Sequence, residues 1–206
     1  MSSKTEKTID KNLPNKLTLM RIILVPIFII VLWLPKMTQG AVPSFTADLI
    51  ASLIFIVSAV TDFIDGKLAR KYNLVSNFGK FMDPLADKFL VIGALLAMSL
   101  NFDGAMRAGL VISIIITVFR ELAVSSVRLI AKNADGVVIA AAMPGKIKTF
   151  AQCIFVPLCL LEGYIFGNVP FIGGTLVLSW ICLAVMVFFT IYSGIQYLKA
   201  YSQYIF

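Results

Sequence analysis

The sequence predicts an all-α integral membrane protein with six transmembrane helices, on three observations. The 206-residue chain is 59% hydrophobic and only 14% charged, with a mean hydropathy of +0.92; soluble domains carry roughly a quarter charged residues. Its apolar residues gather in six runs of about 20, the number a helix needs to cross a bilayer core about 30 Å thick. Its basic residues fall mainly in the segments between those runs. The length suits one membrane domain.

The runs place spans at 17–34, 46–65, 80–101, 105–131, 147–166 and 173–198. Residues 1–16 come first, polar and charged, without the apolar core and small-residue cleavage site of a signal peptide. They are read as a cytoplasmic tail, either disordered or a short surface helix drawn to anionic headgroups; residues 17–206 form the membrane domain. Pro14 and Asn15 precede the first span and Pro35 closes it. The second runs into Lys67, Arg70 and Lys71, and the third opens on Lys80 and Lys88. The fourth carries Arg120 and Arg128 toward Lys132, and Lys146 and Lys148 introduce the fifth. Gly163, Gly167, Pro170, Gly173 and Gly174 mark the turn into the sixth, which ends at Lys199. Only Lys36 and Arg107 fall on the opposite side, so both termini are expected in the cytoplasm of a multi-pass cell-membrane protein.

Several functional classes are excluded at this level. The formal net charge is +7, but the basic residues do not gather on one polar face with stacking aromatics, so no nucleic acid is expected as a partner. There is no histidine, which rules out imidazole metal sites and histidine acid–base chemistry. Cys153, Cys159 and Cys182 lie inside apolar runs without metal-ligand spacing and are read as small core or lipid-facing residues. Asp48, Asp103, Asp135 and Glu162 are read as solvated charges at loop ends.

The chemistry points to Thr61–Lys88, TDFIDGKLARKYNLVSNFGKFMDPLADK. Asp62, Asp65, Gly66 and Ala69 share one helical face at the end of the second span, and Asp83 and Asp87 share a face of the third, with Gly79 one turn earlier. The short connection is expected to make these helices antiparallel neighbours, so that four carboxylates converge. One aspartate at a helix centre costs roughly 3 kcal/mol on insertion scales, and mutual repulsion adds to that. Two divalent cations balance four carboxylates, and all-oxygen ligation suits Mg²⁺ or Mn²⁺. Paired ions of this kind serve phosphoryl chemistry. Gly66, Ala69 and Gly79 leave room for a ligand against the backbone, and Arg70 offers a planar cation to phosphate oxygens. The alternative is a solvated loop in which the aspartates pair with Lys67, Arg70, Lys80 and Lys88.

The pattern Asp62-x-x-Asp65-Gly66-x-x-Ala69-Arg70, then eight residues, then Gly79-x-x-x-Asp83-x-x-x-Asp87, resembles the signature of the CDP-alcohol phosphotransferases. The resemblance implies that family's six-helix fold, a homodimer, and a two-metal site facing the cytoplasm. Under it Asp62, Asp65, Asp83 and Asp87 look like metal ligands, and Asp87 also like the general base. Asp62, Gly66, Ala69, Arg70 and Gly79 look like the CDP-binding wall. Leu13-Pro14-Asn15-x-Leu17-Thr18-x-x-Arg21, Arg120-Glu121 and Gly145-Lys146-x-Lys148-Thr149-x-x-Gln152 are similar to segments of the family's bacterial phosphatidylglycerophosphate synthases. That implies CDP-diacylglycerol as donor and glycerol 3-phosphate as acceptor. Arg120, Arg128, Lys146 and Lys148 suit the acceptor's phosphate, with ordinary positive-inside charge as the alternative for each, and Glu121 is expected to pair with a basic neighbour. Rival readings are another acceptor (inositol phosphate, serine or phosphatidylglycerol), a membrane prenyltransferase, or a cation transporter built on intramembrane aspartates.

Overall fold

The computed structural model describes residues 13–72, 77–135, 143–167 and 175–202. Among the described residues there are six helices and no strand: α1 (Leu13–Met37), α2 (Ser44–Tyr72), α3 (Asn77–Ser99), α4 (Gly104–Asp135), α5 (Met143–Ile165) and α6 (Val177–Ala200). Each expected span coincides with one of them. The N-terminal tail before Leu13 lies outside the described residues.

Five of the helices are long and apolar enough to cross a membrane. The exception is α3, whose first half carries Lys80, Asp83, Asp87 and Lys88. Its uninterrupted apolar stretch runs from Phe89 to Ser99, about 16 Å of helix and half a bilayer core. The carboxylates of α3 therefore precede its apolar stretch, at the end from which the helix starts.

The helices close into a ring in the order α1, α2, α5, α6, α4, α3. α1 and α3 run parallel and in constant register. Thr18 Oγ1 donates to Asp83 Oδ1 at 2.6 Å, Trp33 Nε1 to the Ala97 carbonyl at 3.3 Å, and Lys36 Nζ to the Leu100 carbonyl at 3.0 Å. The sequence offsets of these pairs are 65, 64 and 64 residues. The expected neighbours α2 and α3 do meet, but among the described residues they touch only lightly, and both pack closely on α1. The helices bearing the aspartates are joined through α1.

Small residues let the helices approach. A Cβ on Gly93 would stand 3.0 Å from Val25 Cγ1, and one on Gly109 would stand 3.0 Å from the Trp180 ring. Backbone-to-side-chain packing of this kind drives association where water supplies no hydrophobic force. Val25, Phe28, Phe55, Leu95 and Phe155 fill the interior, while residues such as Ile30, Ile115 and Phe188 point outward, as lipid-facing positions should. The three cysteines are free thiols, consistent with their packing role.

Two acidic residues depart from the expectation of solvated charge. Glu162 is fully buried and accepts hydrogen bonds from the backbone N–H groups of Leu178 (2.8 Å) and Ser179 (2.7 Å), and from the Ser179 hydroxyl. It caps the start of α6. Leu176 at the N-cap has no side-chain cap bond, so a carboxylate from α5 satisfies donors that would otherwise be orphaned in lipid. Asp48 is also buried and accepts from the Tyr164 hydroxyl at 2.8 Å. Asp103 is solvated as expected, 4.0 Å from Arg107, and the side chain of Asp135 lies outside the described set. Glu162→Ala strands the capped donors and is expected to destabilise the protein by about 2–4 kcal/mol. The change should appear as a lower melting temperature in detergent, with Glu162→Gln intermediate.

Candidate active site

Site residues come from five helices at the end where α1 and α3 begin. On α1, Thr18 and Arg21 stand one turn apart, and both are buried, at 1% and 0% exposure. Arg21 Nη1 lies 2.6 Å from Asp62 Oδ1. Thr18 donates to Asp83, which is otherwise an exposed residue of α3. Asp87 is half-buried one turn further on. It makes no hydrogen bond or ion pair with the described side chains, yet lies within electrostatic reach of Asp62, Arg21, Glu121 and Lys148. Asp65, Gly66, Ala69 and Arg70 lie on α2, but their side chains fall outside the described set. Gly79 is buried in the first turn of α3.

A basic cluster adjoins these carboxylates. Glu121 of α4 accepts from Lys148 of α5 and, at 2.8 Å, from Arg120 Nη1. Lys88 Nζ of α3 stands 3.9 Å from the same carboxylate and donates to Ser125 Oγ at 2.6 Å. Lys148 is only 6% exposed, so its charge is held inside the protein. The Arg120 side chain passes between two glycines: a Cβ on Gly194 would be 3.1 Å from Arg120 Cγ, and one on Gly145 would be 3.9 Å from Nη2. Arg120 Nε and Gln152 Nε2 are buried with no hydrogen-bond partner among the described residues. An apolar groove of about 330 Å³ between α4 and α6 reaches the same arginine.

The structure thus brings Arg120 and Lys148 together, and the expected pairing of Glu121 with basic neighbours is present. It does not bring Arg128 or Lys146 into this cluster. Arg128 donates to the Tyr197 hydroxyl at 2.9 Å and stacks over that ring, and Lys146 is exposed. Sequence reasoning assigned no role to Thr18 or Arg21 and treated Lys88 as a loop charge. A buried arginine within an apolar run was the available signal, because such residues face a partner inside the bundle.

Whether the acidic residues suit divalent metal rests on the donor set. Every donor is a carboxylate oxygen, the ligand that hard cations prefer. Arg21 pairs directly with Asp62, whereas Asp83 has a neutral hydroxyl bonded to it and Asp87 has neither kind of contact. The described side chains alone do not assemble a group of three potential ligands; Asp65 is not among them. By donor type alone, the carboxylates of α2 and α3 suit a hard divalent cation.

Comparison with known proteins bears on the same residues. The model of the CDP-alcohol phosphatidyltransferase family matches residues 11–192. A protein of Bacillus subtilis named CDP-diacylglycerol–glycerol-3-phosphate 3-phosphatidyltransferase is 44% identical over 190 residues, covering 90% of this chain and 93% of its own length. A protein of the same name from Rickettsia felis is 35% identical over 95% of this chain and 98% of its own. Another from Blochmanniella floridana is 36% identical over 82% and 86%.

Proposed function

The chain belongs to the CDP-alcohol phosphatidyltransferase family, and from that premise we propose that it transfers the phosphatidyl group of CDP-diacylglycerol to sn-glycerol 3-phosphate, releasing CMP. The observation that carries this reading is the position of Asp87, within reach of both the Asp62–Arg21 pair and the Glu121–Lys148 cluster. A carboxylate that feels the charge of both groups can serve donor and acceptor together.

Arg120, Lys148 and Lys88 share one carboxylate, Glu121, which leaves two positive charges over. A phosphate monoester carries about that much negative charge at neutral pH, and guanidinium and ammonium donors bind its oxygens strongly. Serine would leave the surplus unmatched, whereas inositol phosphate would match it as glycerol 3-phosphate does. The relatives named for glycerol 3-phosphate support the same acceptor.

Asp87 accepts the proton of the acceptor's primary hydroxyl. That oxygen attacks the phosphorus bearing diacylglycerol, the bond to the bridging pyrophosphate oxygen breaks, and CMP leaves with the electron pair. Gly66, Ala69, Arg70 and Gly79 form the wall for the CDP group. Asp62, Asp65, Asp83 and Asp87 would hold two divalent cations, Mg²⁺ or Mn²⁺, which neutralise pyrophosphate charge when bound. Rate acceleration comes mainly from positioning and fixed charge. The site and both termini face the cytoplasm, where glycerol 3-phosphate is dissolved, and the working form is a homodimer.

Purified protein given CDP-diacylglycerol and each acceptor in turn tests this. CMP release is expected with glycerol 3-phosphate and Mg²⁺ or Mn²⁺, and its loss in chelator. Faster release with serine, inositol phosphate or phosphatidylglycerol would overturn the acceptor, and full turnover in chelator would overturn the metals.

A further inference from the structure

Among the described residues the helices that carry the aspartates touch only lightly, and α1 packs on both. The contacts at the site end of α1 are specific. Thr18 and Arg21, three residues apart, lie on one face of α1 and are shielded from solvent. Thr18 reaches across to Asp83 of α3 at 2.6 Å, and Arg21 reaches to Asp62 of α2 at 2.6 Å. The separation between the two carboxylate sets is therefore spanned by one turn of a third helix.

The local backbone gives this bridge something to do. Pro84 directly follows Asp83 within α3 and has no N–H for the carbonyl one turn earlier, so the helix is less braced at that point. Asp83 is exposed, and a carboxylate on such a backbone has rotamer freedom to lose. A buried hydroxyl bonded to one carboxylate oxygen fixes its orientation and leaves the other oxygen unengaged by that bond. Arg21 does the corresponding work at Asp62 by charge, holding a buried guanidinium 2.6 Å from one carboxylate oxygen. The parallel register of α1 and α3, maintained as far as Lys36, keeps Thr18 from sliding past its partner.

We propose that Thr18 and Arg21 are positioning residues that set the spacing and orientation of the α2 and α3 carboxylates for metal binding. The inference rests on the metal reading above. It adds that α1, which bears none of the four aspartates, determines how well they act together. Outer-shell partners of metal ligands typically change affinity 10–100-fold when removed.

The test is Mn²⁺ binding to the purified full-length protein, followed by electron paramagnetic resonance, with melting temperature measured in chelator. Thr18→Val is expected to weaken Mn²⁺ binding by about tenfold with an unchanged melting temperature, and Thr18→Ser to restore it. Arg21→Lys, which keeps the charge and replaces the guanidinium, should weaken binding several-fold. Asp83→Asn serves as the reference. Wild-type affinity in Thr18→Val beside its loss in Asp83→Asn would overturn the positioning role alone. Undiminished Mn²⁺ binding by Asp83→Asn would overturn the metal reading and this inference with it. A fall in Thr18→Val affinity matched by a fall in melting temperature, with no rescue by serine, would reduce Thr18 to a structural residue.

Discussion

Asp87→Asn is expected to lower the turnover number for CMP release by about three orders of magnitude or more while leaving the fold intact. A positioned general base contributes typically 10²–10⁴-fold, and the same carboxylate is proposed to help hold the cations, so both contributions vanish together. The amide is nearly isosteric and cannot accept the hydroxyl proton at neutral pH. Stability should not suffer, because Asp87 makes no hydrogen bond or ion pair with the described side chains and stands near two further carboxylates, Asp62 and Glu121. Removing its charge relieves repulsion. Turnover in purified enzyme, with the melting temperature of the same sample, checks both halves. Near-normal turnover would remove Asp87 from the base role.

Lys148→Met is expected to raise KM for glycerol 3-phosphate by about 100-fold with little change in KM for CDP-diacylglycerol. Lys148 is buried and bound to Glu121, so its loss removes a cation from the acceptor's seat and leaves a carboxylate short of a partner. A hydrogen bond to a charged group is worth about 1.5–3 kcal/mol, and roughly 1.4 kcal/mol is a factor of ten in affinity. Equal rises in both KM values would mean that the cluster does not discriminate acceptor from donor.

Much of the fold was legible because the bilayer imposes a length and a composition on each span. Asp62, Asp83 and Asp87 were legible because carboxylates are rare in such runs and fell at helical spacing. The contact between α2 and α3 was misjudged. A short connection implies close packing only when no third helix takes both partners, and the small residue of α3 that lets α1 approach, Gly93 against Val25, carries no signal in hydropathy. Glu162 was misread for a related reason. Its proximity to a glycine-rich turn suggested solvent, but its fate was decided by the bare N-terminus of α6, a tertiary partner invisible to local pattern. Arg128 was grouped with Lys148 by sign of charge, whereas Tyr197, 69 residues away, offered a hydroxyl and a ring that hold it elsewhere.

The short apolar reach of α3 has a consequence for the surrounding lipid. In a bilayer, a helix whose apolar run equals about half the core's thickness would let water dip along its polar turns while acyl tails press against the outer flanks of the neighbouring helices. A water-soluble nucleophile and a greasy electrophile can then meet at a single depth, without either having to leave its own solvent.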